Sequence, residues 1–304
     1  MAFTAKDVQN LRERTGCGMM DCKKALTEAG GDMEKAIELL REKGLAAQAK
    51  KSGRIAAEGI VYTYVDEEKK VGVVIEVNAE TDFVAKNDSF QSFVASCAKA
   101  VAEQNPATVE ELMTCKADDQ FTVEEALREK ILTIGENMKI RRFARYEGEV
   151  VTYSHGGGRI GVMVKFDAPA DIAAKDGFKA MAKDVAMQIA AANPTYLDKA
   201  GVPADEIAKE KEILTQQAIN EGKPANIAEK MVMGRINKYY KEVCLLEQPF
   251  IKDGDITVSK YIENCAKELG GQIKAVCFVR FEKGEGLEKR EDNFADEVAG
   301  MMGN

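Results

Sequence analysis

The chain has 304 residues, 45% hydrophobic and 31% charged, long enough for two or three domains and a sizeable core. Lys+Arg total 43 against Asp+Glu 51, so the formal charge of −8 argues against general binding to a phosphate backbone. No apolar run reaches the roughly 20 residues that span a bilayer, and one histidine with seven scattered cysteines leaves no Cys/His zinc set.

The first 45 residues read as three short helices. Thr4 caps the first, with Asp7 three residues on and Val8 and Leu11 sharing a face. Gly16 and Gly18 break it. Asp21 is expected to cap the second helix, which ends at Gly30-Gly31. Asp32 caps the third, with Met33, Ile37 and Leu40 at helical spacing and Gly44 past its end. Met19 and Met20 stand at a loop–helix junction. Each suits either an adaptable contact or closure of the small core. A unit this small suits docking. The polar stretch 46–59 reads as a solvated linker, although its Lys50, Lys51 and Arg54 have the charge to touch phosphate.

An internal repeat follows. Glu58-Gly59 matches Glu147-Gly148, and VGVVIEV (71–77) matches IGVMVKF (160–166), both at an offset of 89. Asp82 and Lys86 match Asp171 and Lys175 at the same offset. Phe90 matches Phe178, and Asn105-Pro106 matches Asn193-Pro194, at 88. Each unit reads strand, turn, strand, loop, apolar helix. The strands are expected to be half covered, with helices 90–103 and 178–192 over one face of each sheet. The units part company after the second strand, where Phe83 stands opposite Ile172. Residue type alone puts Phe83 in its own core. Departure from the repeat makes it a candidate for function.

Residues 122–146 read as a helix running toward a strand. Ile207, Leu214 and Ala218, then Val232, Ile236, Tyr239 and Val243, mark two helices broken at EGKP (221–224), an antiparallel hairpin projecting from the second unit. Residues 244–255 return the chain to the body, 273–281 read as a last strand, and 283–302 as a terminal helix with Leu287, Phe294, Val298 and Met301 on one side.

Enzyme signatures are weak. Gly156, Gly158 and Gly161 fit G-x-G-x-x-G, but they lead into a strand where a dinucleotide fingerprint opens a helix, so they read as a flexible hairpin turn. There is no P-loop and no EF-hand. A Ser-His or Cys-His pair has to use His155, whose neighbour Ser154 points the other way along an extended chain. No cofactor or metal of the chain's own is expected. With no export signal in view, the thiols are expected to be reduced, mostly in cores, and the location cytoplasmic.

Five segments together carry a resemblance: TGCGMMDCKKAL (15–26), TDFVAKND (81–88), HGGGRIGV (155–162), EKMVMGRINKYYKEVCLLEQPFIKD (229–253) and FEKGEGLEKREDNFADEVA (281–299). They resemble bacterial elongation factor Ts along the whole length and in the family's order, with Cys17 standing where a smaller residue is usual.

The resemblance implies an α+β protein: a UBA-like N-terminal three-helix domain (1–54), a core N-subdomain (55–146), a core C-subdomain (147–281) with a coiled-coil hairpin (203–245), and a C-terminal module (282–304). It implies guanine-nucleotide exchange on the GTPase elongation factor Tu, by binding and without enzymatic chemistry. Thr81, Asp82, Phe83 and Val84 would act near the GTPase magnesium site, and Arg12, Met19, Met20 and His155 would make further contacts. It also turns Phe83 from a core residue into an exposed wedge. No direct nucleic-acid or membrane partner is expected. The competing readings are a protein-interaction module and an RNA adaptor resting on Lys50, Lys51, Arg54, Arg141 and Arg142.

Overall fold

The computed structural model describes residues 3–15, 17–222 and 225–288. Three helices come first: α1 (Ala5–Thr15), α2 (Met19–Glu28) and α3 (Met33–Lys51). Thr4 and Asp7 exchange hydrogen bonds at the start of α1, and Asp32 accepts from the Lys35 amide to cap α3. Val8, Leu11, Cys22, Leu26, Ala36 and Leu40 close the small core. Two expectations fail here. Gly18 takes the cap position of α2, with Asp21 inside the first turn. The expected linker is helical to Lys51, because α3 runs on past Gly44 and lies against the later helix 123–134, where Lys51 Nζ donates to the Ile131 carbonyl at 3.2 Å. A single glycine costs a helix only about 1 kcal/mol, which such packing offsets.

The first sheet is β1 (Glu58–Asp66), β2 (Val71–Ala79) and β3 (Met138–Glu147), antiparallel in that order. Between β2 and β3 come α4 (Asp82–Ala85), α5 (Asp88–Gln104), α6 (Val109–Thr114) and α7 (Val123–Ile134). The second sheet begins with β4 (Glu149–His155) and β5 (Ile160–Asp167), followed by α8 (Ala170–Ala173) and α9 (Asp176–Ala192). A helical hairpin, α10 (Ala204–Asn220) and α11 (Ala225–Val243), comes next, then the short pair β6 (Pro249–Phe250) and β7 (Asp253–Thr257), then α12 (Val258–Leu269). Finally β8 (Lys274–Glu282) pairs with β5 to complete the order β4–β5–β8. Helix α6, the β6–β7 pair and α12 were not expected from the sequence. The expected terminal helix (283–302) is not helical where it can be seen, since 283–287 form turns, and from 289 on it lies outside the described residues.

The two units follow one plan. Asn105 and Asn193 both close their helices in the left-handed conformation, φ 50° and 45°. Each sheet shifts register at the same repeat position, between Glu76 and Val77 and between Lys165 and Phe166.

Alternation along β2 and β5 explains how the units join. Val71, Val73, Ile75 and Val77 face α5, and Ile160, Val162, Val164 and Phe166 face α9. The other faces are left uncovered by the helices. They meet each other: Val61, Val74, Met163 and Phe281 form a cluster between the sheets, and every residue of β2 is buried. The matched glycines of the repeat permit this approach. A Cβ at Gly72 would lie 2.4 Å from Val150 Cγ1, and one at Gly161 2.4 Å from Val61 Cγ1.

In the hairpin, Leu214 packs with Val232 and Ile236, with Tyr240 against them. Tyr239 leaves the apolar seam. Its hydroxyl and that of Tyr196 both donate to Glu206, which fastens the hairpin at its base.

Candidate functional site

Phe83 is 79% exposed, the most exposed large apolar side chain among the described residues. It sits on the single turn α4, directly after β2. The turn that carries the ring is held at several points. Val84 is buried in the first core. Asn87 caps α5 by accepting from the Ser89 and Phe90 amides, and Gln91 Nε2 donates to the Ala85 carbonyl at 3.0 Å. An apolar ring held in water on such a turn is a candidate contact residue.

Asp82 lies beside it, exposed, and accepts from Lys86 Nζ at 2.9 Å. That hydrogen bond and the Lys86 charge hold its carboxyl below the usual range, with Lys283 adding to the effect. Thr81 precedes it and takes the α4 cap position. Its hydroxyl donates instead to Glu136, at 2.7 Å.

His155 ends β4 and is exposed. Its Nδ1 lies 3.0 Å from the Tyr153 hydroxyl, two residues back on the same face. The glycine turn after it is less free than the sequence suggests. Gly158 is buried, the Val61 amide donates to its carbonyl at 2.8 Å, and a Cβ there would lie 2.2 Å from Ile60 Cγ1. This contact locates the turn. Glu58 pairs with Ala79, and Ile60 and Val61 follow it on β1, so the turn sits at the end of the body where β2 runs into Phe83. The chain after β8 comes to the same end: Lys283 ion-pairs with Glu58, and its amide donates to the Arg159 carbonyl at 2.8 Å.

Three expected residues lie elsewhere. Met19 and Met20, 45% and 62% exposed, open α2, and Arg12 is exposed on α1. Neither methionine is in the core of the three helices, so both are free for contact. None of the three shares a hydrogen bond, ion pair or ring contact with Phe83 or His155.

Sequence reasoning missed the polar groups that hold this end together. Glu76 is fully buried, and it accepts from Arg141 Nη1 at 3.1 Å, Arg142 Nε at 2.6 Å, Asn78 Nδ2 at 3.1 Å and the Gly284 amide at 2.8 Å. Its signal was a lone carboxylate in the apolar run VGVVIEV. Glu136 gave no such signal, because its partners, two main-chain amides and the Thr81 hydroxyl, are more than 50 residues away.

A family model described as Elongation factor TS matches residues 80–285, which include Phe83, Glu136 and His155. The Elongation factor Ts of Clostridium botulinum strain Eklund 17B is 57% identical over 304 residues, covering 99% of both chains. The chain belongs to the elongation factor Ts family. The Elongation factor Ts of Clostridium perfringens strain SM101 is 58% identical over 306 residues, again covering 99% of each chain. That of Clostridium kluyveri strain ATCC 8527 is 57% identical over 301 residues, covering 97% of each. Similarity to elongation factor Ts thus extends beyond the family model into the three N-terminal helices. Family membership makes the chain a translation elongation factor, and no helix among its described residues is long and apolar enough to cross a membrane.

Proposed function

We propose that the chain is a guanine-nucleotide exchange factor for elongation factor Tu, acting in the cytoplasm by binding and without a cofactor of its own. The observation that carries this reading is Phe83, an apolar ring presented to solvent by a fixed turn with a carboxylate beside it.

A GTPase holds GDP through phosphate-loop amides and a Mg²⁺ ion that requires near-octahedral geometry at 2.0–2.1 Å, roughly. A small displacement of its surroundings therefore weakens the whole site. Phe83 wedges between elements of the GTPase, Val84 anchors the wedge to the body, and Asp82, anionic at neutral pH, disturbs the ion's surroundings. Thr81 sets where the turn begins. His155 makes a second contact from the same end, and Met19, Met20 and Arg12 dock the N-terminal helices, a UBA-like unit of residues 1–54. The hairpin 203–245, read as a coiled coil, is a further arm.

Linkage sets the sense of the reaction. A factor that weakens GDP binding is itself weakened by GDP in the same ratio, so it must favour the nucleotide-free GTPase. The test is release of a fluorescent GDP analogue from elongation factor Tu by substoichiometric chain, at millimolar free Mg²⁺ and after chelation. Acceleration that shrinks once the ion is removed supports the reading. Acceleration by the same factor in both conditions removes the ion from the mechanism.

An RNA adaptor is disfavoured because, of its five basic residues, all but the exposed Lys50 are engaged within the chain. Lys51 donates to the Ile131 carbonyl, Arg54 pairs with Glu80, and Arg141 and Arg142 are committed to Glu76.

A further inference from the structure

We propose that Glu136 is a positioning residue for Phe83: its carboxylate fixes the main chain entering α4, and so sets where the ring stands before any partner arrives. The inference deepens the exchange reading and rests on it.

One side chain makes three bonds. Glu136 Oε2 accepts from the Glu80 amide at 3.1 Å and the Thr81 amide at 3.0 Å, while Oε1 accepts from the Thr81 hydroxyl at 2.7 Å. The contact is reciprocal. Glu80 Oε1 accepts from the Asn137 amide at 2.6 Å, and Asn137 Nδ2 donates to the Arg54 carbonyl at 2.8 Å. The segment before Phe83 is thereby tied both to the loop before β3 and to the chain that leaves α3.

The second unit marks the contrast. There Ile172, opposite Phe83 in the repeat, is 3% exposed and lies against Gly271, where a Cβ would come within 2.6 Å of its Cγ1. That loop receives a side chain. The loop carrying Glu136 grips backbone instead, and leaves the side chain outside.

A preorganised contact acts on affinity. If the competent turn is populated only a fraction of the time, the apparent dissociation constant rises by the inverse of that fraction. Once bound, the partner itself orders the turn. Loss of Glu136 should therefore raise the half-saturating concentration and spare the rate at saturation. Loss of the Phe83 ring should lower the rate at saturation.

The chain has no tryptophan, so Phe83→Trp supplies a single reporter at the site. In that background Glu136→Ala is expected to enlarge the fast nanosecond component of the indole anisotropy decay. In the otherwise native chain it should raise the half-saturating concentration for GDP release about 3- to 10-fold, with the saturating rate held. Glu136→Gln should recover most of both effects, since its Oε1 can accept the two amides while its Nε2 donates to the Thr81 hydroxyl oxygen. Unchanged anisotropy in Glu136→Ala overturns the proposal, as does a loss of exchange that only follows a lowered Tm. Should the native chain fail to release GDP at all, the exchange reading falls, and the anisotropy still decides whether Glu136 holds the turn.

Discussion

Phe83 and Ile172 stand 89 residues apart at one position of a repeat, yet the first is 79% exposed and the second 3%. The turns that carry them are alike: α4 and α8 each span four residues, and Val84 and Ala173 next to them are both buried. The difference lies in what approaches from the loop before the third strand of each sheet. Two substitutions at one repeat position should therefore have opposite signatures. Ile172→Ala is expected to lose about 2–5 kcal/mol of stability, the usual cost of truncating a buried aliphatic. Phe83→Ala is expected to stay within about 0.5 kcal/mol of the native chain. Urea unfolding of the two variants measures both, and a comparable loss in Phe83→Ala would mean the ring packs in solution.

The glycine turn beside His155 offers a second pair. Gly157 and Gly158 both have positive φ, 64° and 89°, but only Gly158 faces a wall, Ile60 at 2.2 Å. Gly157→Ala should cost about 1–2 kcal/mol for the left-handed conformation alone. Gly158→Ala should cost clearly more, and should weaken hydrogen-exchange protection at Val61, whose amide donates to the Gly158 carbonyl. Equal costs would show that the turn can lift off β1 freely.

Glu76 predicts a coupling across the chain. Removing its carboxylate leaves Arg141 and Arg142 without their shared partner and frees the Gly284 amide. Glu76→Ala is expected to destabilise by about 3–5 kcal/mol, as truncating one member of a buried ion pair does. Hydrogen exchange of residues 283–287 should rise beyond the global change. Unaltered protection there would dissociate the turn from the buried carboxylate.

The cysteines give a pH prediction. Burial pushes the thiols of Cys17 and Cys244 up to about 11, and Cys97 higher still. At pH 8 these three should resist iodoacetamide in the native chain, while the half-buried Cys115, Cys265 and Cys277 label first, as peptide mass spectrometry can score. The sign for stability follows. Above about pH 9 the unfolded chain releases thiol protons that the native chain retains, so the unfolded state binds fewer protons and stability falls as pH rises. Labelling of Cys97 ahead of Cys277 would contradict the burial.

Much of this was legible in the residues. The repeat was visible because matched strands carry matched chemistry, down to Gly72 and Gly161, although their purpose needed the facing sheet. Asp32 and Thr4 were readable as caps because capping is local. Asp21 misled because Gly18 had already set the turn. Helix α12 was readable and was overlooked: Val258, Tyr261, Ile262, Cys265, Ala266 and Leu269 recur at helical spacing between the cap Thr257 and Gly270, and that stripe packs on α9, far back in the chain. At the candidate site, Phe83 stood out only as a break in the repeat. Glu136 stayed hidden because grip on main-chain amides leaves no periodicity and no compositional trace.

The most direct test is release of a fluorescent GDP analogue from elongation factor Tu at fixed free Mg²⁺, with substoichiometric native chain and Phe83→Ala side by side. The native chain should accelerate release over many turnovers. Phe83→Ala, equally stable, should lose at least about tenfold of the saturating rate, the scale expected when a contact hot spot is truncated. Equal acceleration by both chains would contradict the wedge and return Phe83 to an ordinary surface residue.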